Sequence, residues 1–267
     1  MVHTPPAPPP LPALLPEEQL TFHQEYAKYF QTKRGNLFQS LKVFRAVWDC
    51  LQLLCDIWQR EMSDLESLID QDHLLPKMLF TAAHARFLTA IELSFSCCIG
   101  DAYSILRDGI ESISHAYKIF HEPHLLSTWT NKHHSKSEEK TYDLVFTYNK
   151  KINLYPDKDG MNHLFTYYGQ FCEMATHSSV TSLGNSFKDA STSASVRWEY
   201  HYFQTDQRNL AIFLFTLLQV STHMEEAFYA CFESRLKLDP ELANMRERFH
   251  KEMETQRRRL KATYKLP

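Results

Sequence analysis

Hydrophobic positions along the chain recur mainly at helical spacing. The clearest run is Leu37, Leu41, Phe44, Trp48, Leu51, Cys55, Trp58, Met62, Leu65 and Ile69, in alternating steps of four and three. That is a 3.5-residue repeat, and it predicts one helix of about 33 residues, roughly 50 Å long at 1.5 Å per residue. A second row, Val43, Val47, Cys50, Leu54 and Ile57, widens the apolar face beyond a two-stranded seam and points to a helical bundle. Before it, a helix is predicted from Pro16, with Glu17 and Glu18 in its first turn, carrying Leu20, Phe22, Tyr26 and Phe30 and broken over Thr32 to Gly35.

Further helices follow from the same period. Pro76 opens one whose buried face is Phe80, Phe87, Ile91, Phe95 and Cys98. Gly100 punctuates, and Asp101 caps a helix to about Phe120 that buries Ala102, Leu106, Ile110, Ile113, Tyr117 and Phe120. Ser135 with Glu138 three residues on is a capping-box pattern for a helix to about Asn149. After a turn at 156–160, Met161 to Thr176 form another helix, and Asp206 to Leu238 a long one that is apolar nearly all round and therefore central. Asp239-Pro240 starts a final helix with a narrow stripe of Leu242, Met245, Phe249, Met253, Leu260 and Tyr264. Alternation of Val196, Trp198, Tyr200 and Tyr202 with polar residues fits a short strand over 196–203, with no evident partner strand. The expectation is an all-α, single bundle-like domain of seven or eight helices, two of them long. A proline-rich tail (1–16), the bundle (17–238) and an amphipathic, basic C-terminal helix (239–267) make up the chain. That last helix either docks on the bundle or serves as a homo-oligomer or partner contact through 240–264.

Composition narrows the function classes. With 29 Lys+Arg against 32 Asp+Glu the net charge is −3, without the cationic excess of a protein that coats nucleic acid. Six glycines in 267 residues disfavour turn-rich β folds and glycine-rich phosphate loops. The longest charge-free apolar stretch, Asn209 to Met224, is interrupted by polar residues and reads as a core helix, so neither a membrane partner nor a secretory leader is expected. None of the six cysteines forms a Cys-x-x-Cys pair, which fits reduced core residues and a cytoplasmic location.

Candidate chemistry lies at two places. Arg107, Glu111 and His115 stand four apart on one helical stripe, beside the apolar row. In the second segment, YYGQFCEMATHSS (167–179), Glu173 and His177 are again four apart. If the two helices face each other, Arg107, Glu111, His115, Tyr168 and His177 share one pocket. The plain alternative is a solvated Arg–Glu pair and structural histidines. A metal-dependent hydrolase with Glu and His ligands would add His121, His124, His133 and His134. The ligand types suit such a site, but the Glu-x-x-x-His spacing matches neither the di-iron nor the zinc-protease pattern. No metal or other cofactor is therefore expected. There is no Gly-x-Ser-x-Gly elbow and no Walker or Gly-x-Gly-x-x-Gly loop. The basic run at 257–261 could touch RNA, or form a solvated helix end.

The helix DAYSILRDGIESISHAYKIF (101–120), followed by 167–179, resembles a group of uncharacterised bacterial helical proteins that is itself similar to the HEPN class. The resemblance covers about residues 75–235. It implies an all-helical fold with Arg107, Glu111, Tyr168 and His177 as the shared polar residues. It also implies an interaction or regulatory role, in a toxin–antitoxin or phage-defence setting, or else a metal-independent ribonuclease. In the ribonuclease, Arg107 would stabilise a phosphate oxyanion and His177 or His115 would act as base on a 2′-hydroxyl. HEPN ribonucleases carry four to six residues between Arg and His on one helix, whereas seven residues separate Arg107 from His115.

Overall fold

The computed structural model describes residues 23–147, 154–176, 187–189, 198–200, 202–204, 206–237 and 239–265, together with Ala13, Pro16 and Ser191. The fold is all-α. Nine α-helices are present among the described residues, where seven or eight were expected. The proline-rich tail at 1–16 falls outside the described residues apart from Ala13 and Pro16.

The heptad stretch is two helices, α1 (Gln24–Val43) and α2 (Arg45–Asp64), parted at Phe44. The expected break at Thr32 to Gly35 does not occur. A lone glycine costs a helix only about 1 kcal/mol and no proline accompanies it, so α1 runs through. Phe44 leaves helical geometry at φ −109° and ψ 31° while its ring is buried. In α2 the second row is the deeper one. Val47, Cys50, Leu54 and Ile57 are all buried, alongside Leu51 and Trp58 from the heptad row, whereas Ile69 at the far end is 89% exposed.

Helix α3 (Gln71–Phe95) begins five residues before Pro76, because Asp70 accepts a bond from the Asp72 amide and caps it there. It ends in a Schellman turn. The Cys98 amide bonds to the Leu93 carbonyl at 2.8 Å and the Cys97 amide to that of Ser94 at 3.0 Å, with Cys97 left-handed at φ 65° where glycine is usual. The turn sends α4 (Ile99–His121) back along α3. Its row of Ala102, Leu106, Ile110, Ile113 and Tyr117 is buried as the spacing predicts. Two short helices follow, α5 (Leu126–Thr130) and α6 (Lys136–Phe146). Ser135 caps α6, its Oγ accepting from the Glu138 amide at 3.2 Å while its hydroxyl donates to Glu138 Oε2 at 3.0 Å.

Gly160, at φ 74°, turns the chain into α7 (Met161–Phe171), which widens into a π turn over Cys172–Thr176. Strand β1 (Phe187–Asp189) pairs antiparallel with β2 (Trp198–Tyr200), within the stretch where alternation suggested a strand. Helix α8 (Gln207–Phe232) is the central helix expected there, buried from Leu210 to Phe232 on most sides. Helix α9 (Pro240–Tyr264), capped by Asp239, packs on α2 and α8 and adds Leu242, Phe249 and Leu260 to the same core. Its apolar stripe is therefore packed against its own chain, the docked alternative of the two expected. No helix among the described residues is long and apolar enough to cross a membrane.

Candidate functional site

The spacing that puts Arg107, Glu111 and His115 on one stripe of α4 does not give them one environment. His115 is buried. Its Nδ1 accepts a bond from the Trp129 indole N–H at 3.3 Å, which leaves Nε2 as the protonated nitrogen, donating to the Phe146 carbonyl at 3.2 Å. The rings of Phe146 and Tyr142 stand edge-on to it at 5.1 and 6.0 Å. Burial pushes the imidazole down to about 4, outweighing the bond to Phe146, which acts in the opposite direction. His115 is thus a neutral bracket tying α4 to α5 and α6. This corrects its assignment to an open polar pocket, since both ring nitrogens are engaged inside the protein.

Arg107 is half-buried and donates to Asp108 Oδ1 at 2.7 Å rather than to Glu111. The bond to Asp108 raises its pKa, and its Nε is buried without a hydrogen-bond partner. Tyr168, on α7, comes close to this stripe. Its hydroxyl pKa is raised first by burial and then by the charge of Glu111, with Arg107 acting the other way. Tyr168 thus lies within electrostatic reach of both Arg107 and Glu111, while His115, one turn further along α4, is engaged elsewhere. His177 lies outside the described residues, so its place relative to Arg107 is not part of the site described. Glu173, four residues before it, is exposed on the π turn.

Glu111 and Tyr168 line a cleft of about 210 Å³. Its other walls come from α6 and the segments beside it, through Tyr142, Asp143 and Phe146, and from Leu154 and Tyr155 ahead of α7. Lys132 completes it, with Nζ 4.0 Å from the centroid of the Tyr142 ring. The Tyr142 hydroxyl is pushed up to about 12 by burial, then by Glu111 and Asp143. Sequence reasoning missed Lys132, Tyr142, Asp143 and Tyr155. Tyr142 and Phe146 are four apart on a short amphipathic helix, a pattern that signals packing but not against which partner.

The metal reading loses its geometry. Among the described residues no three His, Cys, Asp or Glu side chains converge as ligands. His133 and His134 are exposed, and His121 lies against the Tyr117 ring at 4.4 Å. In the basic run, Arg257 and Arg258 both bond to Glu254, at 2.5 and 2.8 Å, and hold that carboxyl down at about 2.

A second charged cluster, undetected from sequence, lies in the core. Arg246 of α9 reaches Glu61 of α2 at 2.5 Å and also bonds Glu225 of α8, with its guanidinium 3.8 Å above the Tyr229 ring. Both carboxylates are buried. Burial, then the neighbouring Glu225, push Glu61 up to about 9, so one guanidinium faces one carboxylate and one carboxylic acid at neutral pH.

No family model matches the chain, and no curated protein or solved structure is significantly similar to it.

Proposed function

We propose that the protein is a non-catalytic interaction or regulatory module of the HEPN-like helical kind, acting in the cytoplasm. The observation that carries this reading is the state of His115. A general base must exchange a proton with substrate near neutral pH. This imidazole has both nitrogens occupied and binds a proton only near pH 4. Two neighbours support the same conclusion. Arg107 is paired with Asp108. Among the described residues the cleft beside it holds two carboxylates against one ammonium, a balance that disfavours a phosphodiester. The toxin–antitoxin or phage-defence setting belongs to the same proposal and rests on the resemblance alone.

The test is incubation of the purified full chain with single-stranded and hairpin RNA, with and without divalent cations. The expected result is no cleavage above a heat-inactivated control. Cleavage that disappears in both Arg107→Ala and His177→Ala would establish the ribonuclease and overturn the proposal.

A further inference from the structure

The cleft under Glu111 combines two features that select the same ligand chemistry. Four aromatic rings, Tyr142, Phe146, Tyr155 and Tyr168, contribute to its lining, and so do the carboxylates of Glu111 and Asp143. The π face of an aromatic ring attracts a cation, and a carboxylate nearby adds a full charge of the same sign. Neither carboxylate has a hydrogen-bond or ion-pair partner among the described residues, so both fields stay directed at whatever enters. Tyr142 and Tyr168 both feel Glu111, which places its charge on the aromatic side of the cleft.

The chain already contains an example of the contact. The Lys132 ammonium lies 4.0 Å from the Tyr142 ring centroid. Among the described residues, one ammonium and two carboxylates give the lining a formal charge of 1 − 2 = −1. At about 210 Å³ the cleft is smaller than the roughly 300–1,000 Å³ of pockets for drug-sized ligands, a scale that suits one side chain or one small amine.

We propose that this cleft binds a single organic cation, an alkylammonium or alkylguanidinium group, and that Lys132 competes with the ligand for the Tyr142 face. The inference rests on the reading of the protein as an interaction module, and names what it recognises. The two fail separately. RNA cleavage would remove the module reading and leave cation binding to be measured in its own right.

The experiment is titration of the full chain with n-butylammonium and n-butylguanidinium, followed by NMR. The neutral probe n-butanol and inorganic phosphate serve as controls. Saturable cation binding is expected, tighter than butanol by about fivefold or more, the gain of one cation–π contact. Glu111→Gln and Asp143→Asn should each weaken it severalfold. Lys132→Met should tighten it, a gain that misfolding cannot produce. Butanol binding as tightly as the cations, phosphate binding in their place, or cation affinity unmoved by all three substitutions would overturn the proposal. Within a positive result, a lysine-bearing peptide that binds more tightly than butylammonium assigns the cation to a partner protein. The reverse order assigns it to a free amine.

Discussion

Replacing His115 with Gln tests the most quantitative claim made about the α4 stripe. The amide keeps a donor for the Phe146 carbonyl and an acceptor for the Trp129 indole, but it does not titrate. The folded imidazole sits at about 4, below its ordinary 6.5. Between those values the unfolded chain binds a proton at this position and the folded chain does not, so stability falls as pH falls through that window. Integrating the linkage from pH 7 to pH 5 gives a loss of about 2 kcal/mol from this one group. His84, also held down by burial, adds a loss of the same sign, and Glu61, held up, opposes it. Both remain in the variant, so the difference between wild type and His115→Gln isolates His115. Urea unfolding at pH 7, 6 and 5 reads that difference directly. Wild type should lose about 2 kcal/mol relative to the variant on going from pH 7 to 5. Parallel stability curves would refute the argument, because they would mean that His115 gains a proton as readily in the folded chain as in the unfolded one.

Three further perturbations follow from buried or strained positions. Arg246→Met leaves Glu225 and Glu61 buried without their cation, and should cost about 3–5 kcal/mol in a thermal or urea melt. Glu61→Gln should stabilise the protein at pH 7, because folding of wild type must take up a proton at Glu61 there and folding of the variant need not. As pH rises toward about 9, wild type loses the stability of that raised group and the Gln variant does not, and a melt at pH 9 that shows no such divergence would refute the shared-proton reading. Gly160→Ala forces a side chain into φ 74° and brings its Cβ to 3.1 Å from Glu226 Oε2 and 3.2 Å from His223, so a loss of about 1–2 kcal/mol is expected by urea denaturation.

Helix existence was legible from spacing because burial on one face imposes a 3.6-residue period wherever that face meets the core. The α4 row and the apolar run of α8 are the plainest cases. Helix ends were less legible. The heptad row ran unbroken through Phe44, since a buried aromatic serves the period equally well whether or not the backbone continues as a helix. Pro76 looked like a start although Asp70 had already capped the helix. The β2 alternation was visible, but its partner lay in a Ser- and Gly-rich stretch where three residues of strand leave no periodic trace. At the site, spacing placed Arg107, Glu111 and His115 on a stripe and could go no further. A stripe has a definite direction but no information about depth, and α5 and α6 fold over its His115 end. The Glu61, Arg246 and Glu225 cluster was invisible for a related reason. Its members are 164 and 21 residues apart in pairs, and each alone looks like an ordinary surface charge on a helix.

That cluster also sets an order on biosynthesis. Glu61 and Glu225 are made before Arg246, so a nascent chain that has released α8 from the ribosome holds two acids facing an apolar interior with no base to meet them. A chain that ends before Arg246 would have to bury both acids without their base, so the earlier helices depend on the last one to close over them.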